Sequence, residues 1–272
     1  MSAMARAGEA APGQAAPVRV EREGGLAVVV LDRPARRNAL DVPLATALAA
    51  AVHGLADDAG VRAVLLRAEG GHFGVGGDLA AMAAGDATEV ATALIEALHP
   101  AVLRLQAMDA PVVVAVQGAV AGGSLSLALA ADLCIAADDA RLDLAYVGIG
   151  ANCDCGGSWH LPRLVGLRRA MQIALLPGAI GAAEALALGL VNRVVPRAEL
   201  ESESLALARR LAAGPTRAYG NMKRLLRASL GRDLAAQLDA EQEAFLASTR
   251  TDDFREGLTA FRGKRAPRFE GR

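Results

Sequence analysis

The sequence predicts an α/β core followed by a helical C-terminal region. Apolar residues fill 53% of the 272 positions, enough to bury a sizeable core. Short β-branched runs alternate with helical periodicity through the first two thirds of the chain. Around position 200 that mixture gives way to nearly pure helix. The reading divides the chain into a disordered tail at 1–17, a core at 18–200 and a helical region at 201–272.

Taken in order, Val18 to Arg22 alternates, Gly24-Gly25 is a turn, and Leu26 to Leu31 is an apolar β run, which together signal a hairpin. Leu44 to Leu55 repeats at helical spacing. Ala63 to Arg67 reads as a buried strand. Gly70 to Gly77 is a glycine-rich loop, with Asp78 placed to cap the helix that follows. Thr88 to Met108 is helical, with a break or kink expected at Pro100. Val112 to Val116 is the clearest strand. Gly122-Gly123 precedes an apolar helix over Ser124 to Ala131, and short strands follow at Leu133 to Ala136 and Arg141 to Leu144. Helical patterns then run over Trp159–Val165, Arg168–Leu176, Ala182–Leu188, Glu199–Ala213, Thr216–Leu230, Leu234–Ser248 and Asp252–Phe261. Arg193 to Val195 interrupts them as a strand.

Composition excludes several classes. The 29 basic and 30 acidic residues leave a net charge of -1, so no broad field draws nucleic acid or an anionic membrane. No apolar run is long enough to span a bilayer. The three cysteines are odd in number, and Cys153 and Cys155 lack the spacing of a zinc knuckle. The pattern therefore fits a reducing cytoplasm with neither disulfide framework nor metal site.

Chemistry concentrates in Phe73 to Leu79, Gly118 to Ala128 and Ala145 to Val165. The first two are glycine bends that follow a strand and lead into a helix. Such bends leave backbone N–H groups unpaired. Two that face one point would form an oxyanion hole for a carbonyl oxygen gaining charge; two ordinary tight turns would read the same way. Gly148-Ile149-Gly150 lacks the third glycine of a dinucleotide fingerprint. Gly122 to Ser126 lacks the closing glycine of a nucleophile elbow.

In order and content these segments resemble the enoyl-CoA hydratase/isomerase (crotonase) superfamily, over roughly Val18 to Phe269. The resemblance rests on Leu31-Asp32-Arg33-Pro34 with Asn38-Ala39-Leu40, on Phe73 to Leu79, and on Pro111 to Asp132. It continues through Gly156-Gly157, Leu161 to Gly166 and Ala182 to Pro196, and ends at Phe261, Lys264-Arg265 and Pro267. It implies a spiral of ββα turns whose C-terminal helices build a homotrimer, or a hexamer as a dimer of trimers. It implies an acyl-CoA thioester as substrate, with coenzyme A part of the substrate and no other cofactor. The oxyanion donors fall on the N–H groups of Gly77 and Gly123. Substrate contacts fall on Arg33, Arg37, Phe73, Asp78, Leu125, Tyr146, Trp159, Phe261 and Lys264.

The chain departs from the family's hydratases at both catalytic glutamates. Ser126 and Tyr146 stand there, and neither replaces a carboxylate. Asp154 lies instead in a turn where family isomerases carry an Asp, among them enoyl-CoA isomerases and ring-epoxide phenylacetyl-CoA isomerases. One base suffices for a 1,3-shift, because it returns the proton that it takes. The expectation is therefore an isomerase with Asp154 as base, flanked by the apolar Leu125, Ile149 and Trp159. The alternatives are a hydratase, an aryl-CoA dehalogenase with Asp154 as nucleophile and His99 nearby, or a silent acyl-CoA-binding paralogue. Without the resemblance, Asp154 reads as a helix cap.

Overall fold

A computed structural model describes residues 16–176 and 178–272, so most of the tail expected over 1–17 lies outside the described residues. The chain opens with the hairpin β1 (Val18–Glu23) and β2 (Leu26–Leu31), then α1 (Val42–Ala56) and β3 (Ala63–Ala68). Helices α2 (Leu79–Ala84) and α3 (Ala87–Ala107) lead to β4 (Val112–Val116). A short β5 (Ala119–Ala121) runs directly into α4 (Gly122–Leu129). Next come β6 (Leu133–Ala137), β7 (Arg141–Asp143), α5 (Gly157–Val165), α6 (Leu167–Leu175), β8 (Ile180–Gly181), α7 (Ala182–Ala187) and β9 (Arg193–Val195). The helices α8 (Leu200–Ala212), α9 (Thr216–Ser229), α10 (Leu234–Thr249) and α11 (Asp252–Arg262) complete the described chain. None of these helices is long and apolar enough to cross a membrane.

Six strands form one sheet in the order β1-β2-β3-β4-β6-β9. Only β1 is antiparallel to its neighbour; from β2 onward the strands run parallel. A parallel sheet needs cover on both faces, which is why all six residues of β2 and all five of β4 are apolar and buried. One face packs Val29, Leu31, Val64, Leu66, Val112 and Val114 against α1 and α3. Those helices supply matching stripes, Leu44/Leu48/Val52/Leu55 and Leu94/Leu98/Val102/Leu105, at helical spacing. The other face packs Val28, Val30, Leu65, Val113 and Ile135 against Leu200 and Ala208 of α8.

Two local features depart from expectation. Helix α3 continues through Pro100, whose exposed position leaves the carbonyl of Glu96 open to water. Of the second sheet, β5-β7-β8, only β7 was expected, at Arg141 to Leu144; β5 and β8 are three and two residues long, too short for a periodic signal. The sheet matters for the site, since β5 sets the angle at which α4 begins.

The loop between β2 and α1 is clamped by Asn38, which is fully buried and left-handed at φ 53°. Its side chain accepts from the Arg33 N–H at 2.8 Å and donates to the carbonyls of Glu69 and His72 at 3.0 and 2.8 Å. It thus ties the β2 exit to the loop after β3. Asn38→Ala would strand three part-buried backbone groups and place Ala in a left-handed conformation. We expect it to lower unfolding free energy by about 3 kcal/mol in urea titration, with an unchanged denaturant slope.

Candidate active site

A cleft of about 490 Å³ opens between α2, α3, the Gly76-Gly77 bend, the start of α4 and the loop 145–155. Its apolar wall includes Met82 of α2 and Leu94, Ile95 and Leu98 of α3. Gly77, Gly123, Tyr146 and Asp154 all line it, so the structure brings together residues up to 77 positions apart in the sequence.

The two glycine bends are stitched to each other by backbone. Gly74 bonds both ways with β5: its N–H reaches the Ala119 carbonyl at 3.1 Å and its carbonyl accepts from Ala121 at 2.9 Å. The Gly76 N–H donates to Ser124 Oγ at 3.2 Å, inside the first turn of α4. A Cβ on Gly74 would fall 2.4 Å from that same Oγ. On Gly76, at φ +85°, it would meet the Ala121 carbonyl at 3.1 Å. Glycine is required here by close approach as well as by dihedral.

This stitching aims two amides. Leu40 bridges the bend in parallel fashion, donating to the Gly76 carbonyl at 2.8 Å and accepting from Asp78 N–H at 3.0 Å. In that pattern the N–H of Gly77 points away from Leu40. The N–H of Gly123 lies in the first turn of α4, where no intrahelical acceptor exists. Neither amide has a hydrogen-bond partner among the described residues. Both border the cleft, and the α4 dipole adds positive potential at Gly123.

Ser126 and Tyr146 form a neutral pair, with their hydroxyl oxygens 3.1 Å apart. Tyr146 also reaches the Asp154 carbonyl at 3.3 Å. Ser126 is fully buried, and burial raises the Tyr146 hydroxyl well above its ordinary value, so it stays protonated. Left-handed Ala145 (φ 56°) and Cys155 (φ 50°) bracket the loop, and each such residue costs about 1–2 kcal/mol. They turn Tyr146 and Asp154 toward the cleft.

Asp154 Oδ1 accepts from the Cys155 N–H at 2.5 Å and lies 2.6 Å from His99 Nε2 on α3. Asp154 does not cap α5. Gly156 holds the cap position, and no side chain bonds there. Asp154 is the only acidic residue among those lining the cleft.

Several expected contacts lie elsewhere. Phe73 is fully buried in the core. Leu125 faces the core from α4 at 2% exposure. Asp78 is turned inward, capping α2 through Ala81 N–H and pairing with Arg36 at 2.7 Å without hydrogen-bond geometry. Arg33 is spent on Asp41. Trp159 sits under the Arg163 guanidinium, 3.9 Å from its centroid, beside a different cavity. Of the three apolar neighbours expected for Asp154, only Ile149 lines the cleft. Arg37 is exposed, as are Phe261 and Lys264 near the end of α11, and none of them lines this chain's cleft.

Sequence reasoning missed the Ser126–Tyr146 bond and the wall from α2 and α3. The spacing of Leu94 and Leu98 signals one face of a helix, and nothing local tells which cavity that face borders.

With this geometry in place, comparison with known proteins identifies the lineage. The enoyl-CoA hydratase/isomerase family model matches residues 21–272, and the chain belongs to that family. It is 41% identical over 255 residues to the "Probable enoyl-CoA hydratase" of Rhodobacter capsulatus, covering 94% of this chain and 98% of that one. It is 35% identical over 253 residues to the 1,2-epoxyphenylacetyl-CoA isomerase of Escherichia coli, covering 92% and 97%. The crystal structure of an enoyl-CoA hydratase from Polaromonas sp. JS666 superposes with a TM-score of 0.87 at 32% identity, over 93% of this chain and 99% of that one. The crotonase fold and an acyl-CoA hydratase/isomerase type of activity follow from these matches.

Burial pushes the thiol of Cys155, beside Asp154, up to about 12 from its ordinary 9.0. A raised folded value means that the native state keeps a proton the unfolded chain releases. Stability is thus fully present below the ordinary thiol value and declines as pH rises above it. Between about pH 8 and about pH 10, wild type should lose more unfolding free energy than Cys155→Ser, as read by urea titration.

Proposed function

We propose that this chain isomerises an unsaturated acyl-CoA thioester by a 1,3-proton shift, with Asp154 as its single base. The observation that carries this reading is the cleft's inventory of acids. Asp154 is its only carboxylate among the described residues, and the two positions that the family resemblance matches to the hydratase glutamates hold the neutral Ser126–Tyr146 pair. Hydration needs one group to activate water and another to handle a carbon-bound proton. An isomerase needs one group that does both halves of a transfer.

In this mechanism the thioester oxygen lies on the N–H groups of Gly77 and Gly123. Asp154 breaks the C2–H bond of a 3-enoyl thioester, and the electron pair enters an enolate held by the two amides. The carboxyl proton then goes to C4, leaving a double bond between C2 and C3 and restoring the carboxylate. The apolar wall of Met82, Leu94, Ile95 and Leu98 receives the acyl chain. No cofactor is required beyond the coenzyme A carried by the substrate. Contacts from Arg37, Phe261 and Lys264 to that moiety belong to the same proposal. So does a homotrimer or dimer of trimers, in which exposed Leu226, Leu230 and Phe245 would be covered. The free thiols of Cys134, Cys153 and Cys155 suit a reducing cytoplasm.

A second reading is favoured by the His99–Asp154 contact: Asp154 would attack the halogen-bearing ring carbon of an aryl-CoA thioester, halide would leave, and water would hydrolyse the resulting aryl ester to free the carboxylate. A panel of 3-enoyl-, 2-enoyl- and halogenated aryl-CoA thioesters separates the two, with products read by mass spectrometry and NMR. We expect 3-enoyl-CoA to be isomerised and crotonyl-CoA to be hydrated far more slowly. Hydration at a comparable rate, or halide release, would reject the isomerase.

Asp154→Asn keeps an acceptor for Cys155 and His99 but cannot take a proton at neutral pH. Turnover should fall at least about a hundredfold, while thermal unfolding shows a stability change within about 1 kcal/mol. Gly123→Pro deletes one amide donor. In a variant whose circular dichroism matches wild type, kcat should drop about 10² to 10³, with a smaller loss of coenzyme A affinity.

A further inference from the structure

We propose that His99 is the path by which the proton carried on Asp154 exchanges with solvent, so that it sets how much of the substrate's own hydrogen reaches the product. This rests on the reading of Asp154 as the base.

The two oxygens of Asp154 are not equivalent. Oδ1 is held by the Cys155 N–H at 2.5 Å and by His99 Nε2 at 2.6 Å. Oδ2 makes no hydrogen bond to the described residues. A carboxylate only accepts, so Nε2 carries a hydrogen in the resting site. The other ring nitrogen, Nδ1, has no hydrogen-bond partner among the described residues. His99 is 49% exposed, against 30% for Asp154. The imidazole therefore joins the carboxylate on one side to water on the other.

No other side chain among the described residues lining the cleft offers such a route. The Tyr146 hydroxyl is engaged with Ser126 and the Asp154 carbonyl, and its proton is held by burial. The thiols of Cys153 and Cys155 are raised as well. Imidazole is the side chain that gives and takes protons through two separate nitrogens near neutral pH.

The exchange balances without any other reactant. The C2–H bond breaks, and its proton binds the carboxylate. When Oδ1 carries that proton, it faces Nε2. The resting Nε2–H ring first shifts its hydrogen to Nδ1 through water, giving one proton to solvent and taking one back; Nε2 then accepts the proton from Oδ1 as Nδ1 releases its hydrogen to water. The reverse sequence brings a solvent hydrogen back to Oδ1. Direct delivery from the carboxyl to C4 competes with this relay, so product hydrogen at C4 comes from both sources.

The test uses a 3-enoyl-CoA deuterated at C2, turned over in ordinary water, with deuterium at C4 of the product read by mass spectrometry. Retention is measured per product molecule and reports the ratio of direct delivery to exchange, whatever the overall turnover. His99→Gln keeps an N–H donor toward Oδ1 but cannot relay, and retention should rise several-fold over wild type. His99→Phe, which also removes the donor, should show the same rise. Equal retention in wild type and the folded variants overturns the relay. So does slower turnover with unchanged retention, which would make His99 a group that only positions the carboxylate. A wild-type enzyme that moves no double bond rejects the isomerase reading itself, a result distinct from either of these.

Discussion

The backbone stitch between the Gly74–Gly77 bend and the β5–α4 junction is the constraint on which the rest of the site depends. Hydrogen bonds at Gly74 and Gly76, with no room for a Cβ at the first and a crowded, left-handed backbone at the second, hold two loops from different turns of the fold at contact distance. Oxyanion stabilisation depends on donors already in place, because reorganising them during the reaction would cancel their benefit. Here the two candidate amides, of Gly77 and Gly123, belong to main chain that the sheet has already positioned. Ser124 takes part by its hydroxyl alone, filling the space that the glycines leave.

The sheet provides that rigidity by burying both faces. One is covered by α1 and α3, the other by α8. Helix α3 then serves twice. Its Leu94, Leu98, Val102 and Leu105 stripe packs into the core, and Leu94 and Leu98 of that stripe, with Ile95 and His99 beside it, also line the cleft. A helix fixed so firmly by its core face holds His99 steady against Asp154. The apolar wall of the cleft and the His99–Asp154 contact therefore share one structural origin.

Charge in the cleft is sparse. Burial keeps the Tyr146 hydroxyl and the neighbouring thiols protonated, and the Ser126–Tyr146 pair is neutral. A cleft with one carboxylate and two aimed amides suits chemistry in which a proton is borrowed and returned. The left-handed Ala145 and Cys155 show where the chain accepts strain to turn that carboxylate and the tyrosine inward.

The sequence alone determined the elements whose signal is local. The apolar runs of β2 and β4, the periodic α1 and the cap at Asp78 are set by neighbours within a few residues. The order of motifs was enough for the lineage, and the glycine bends and Asp154 were legible as candidates. Burial and partnership were not. Phe73 and Leu125 read as substrate contacts and proved to be core, because an apolar residue beside a motif carries no mark of which side it faces. Trp159 points to another cavity, and Asp78 and Arg33 are spent on structural pairs. The pairing of His99 with Asp154, which the family resemblance offered only under one alternative, spans 55 residues, and that of Ser126 with Tyr146 joins a helix to a loop. Contacts across such separations exist only once the sheet has stacked its strands, so tertiary structure alone decided them.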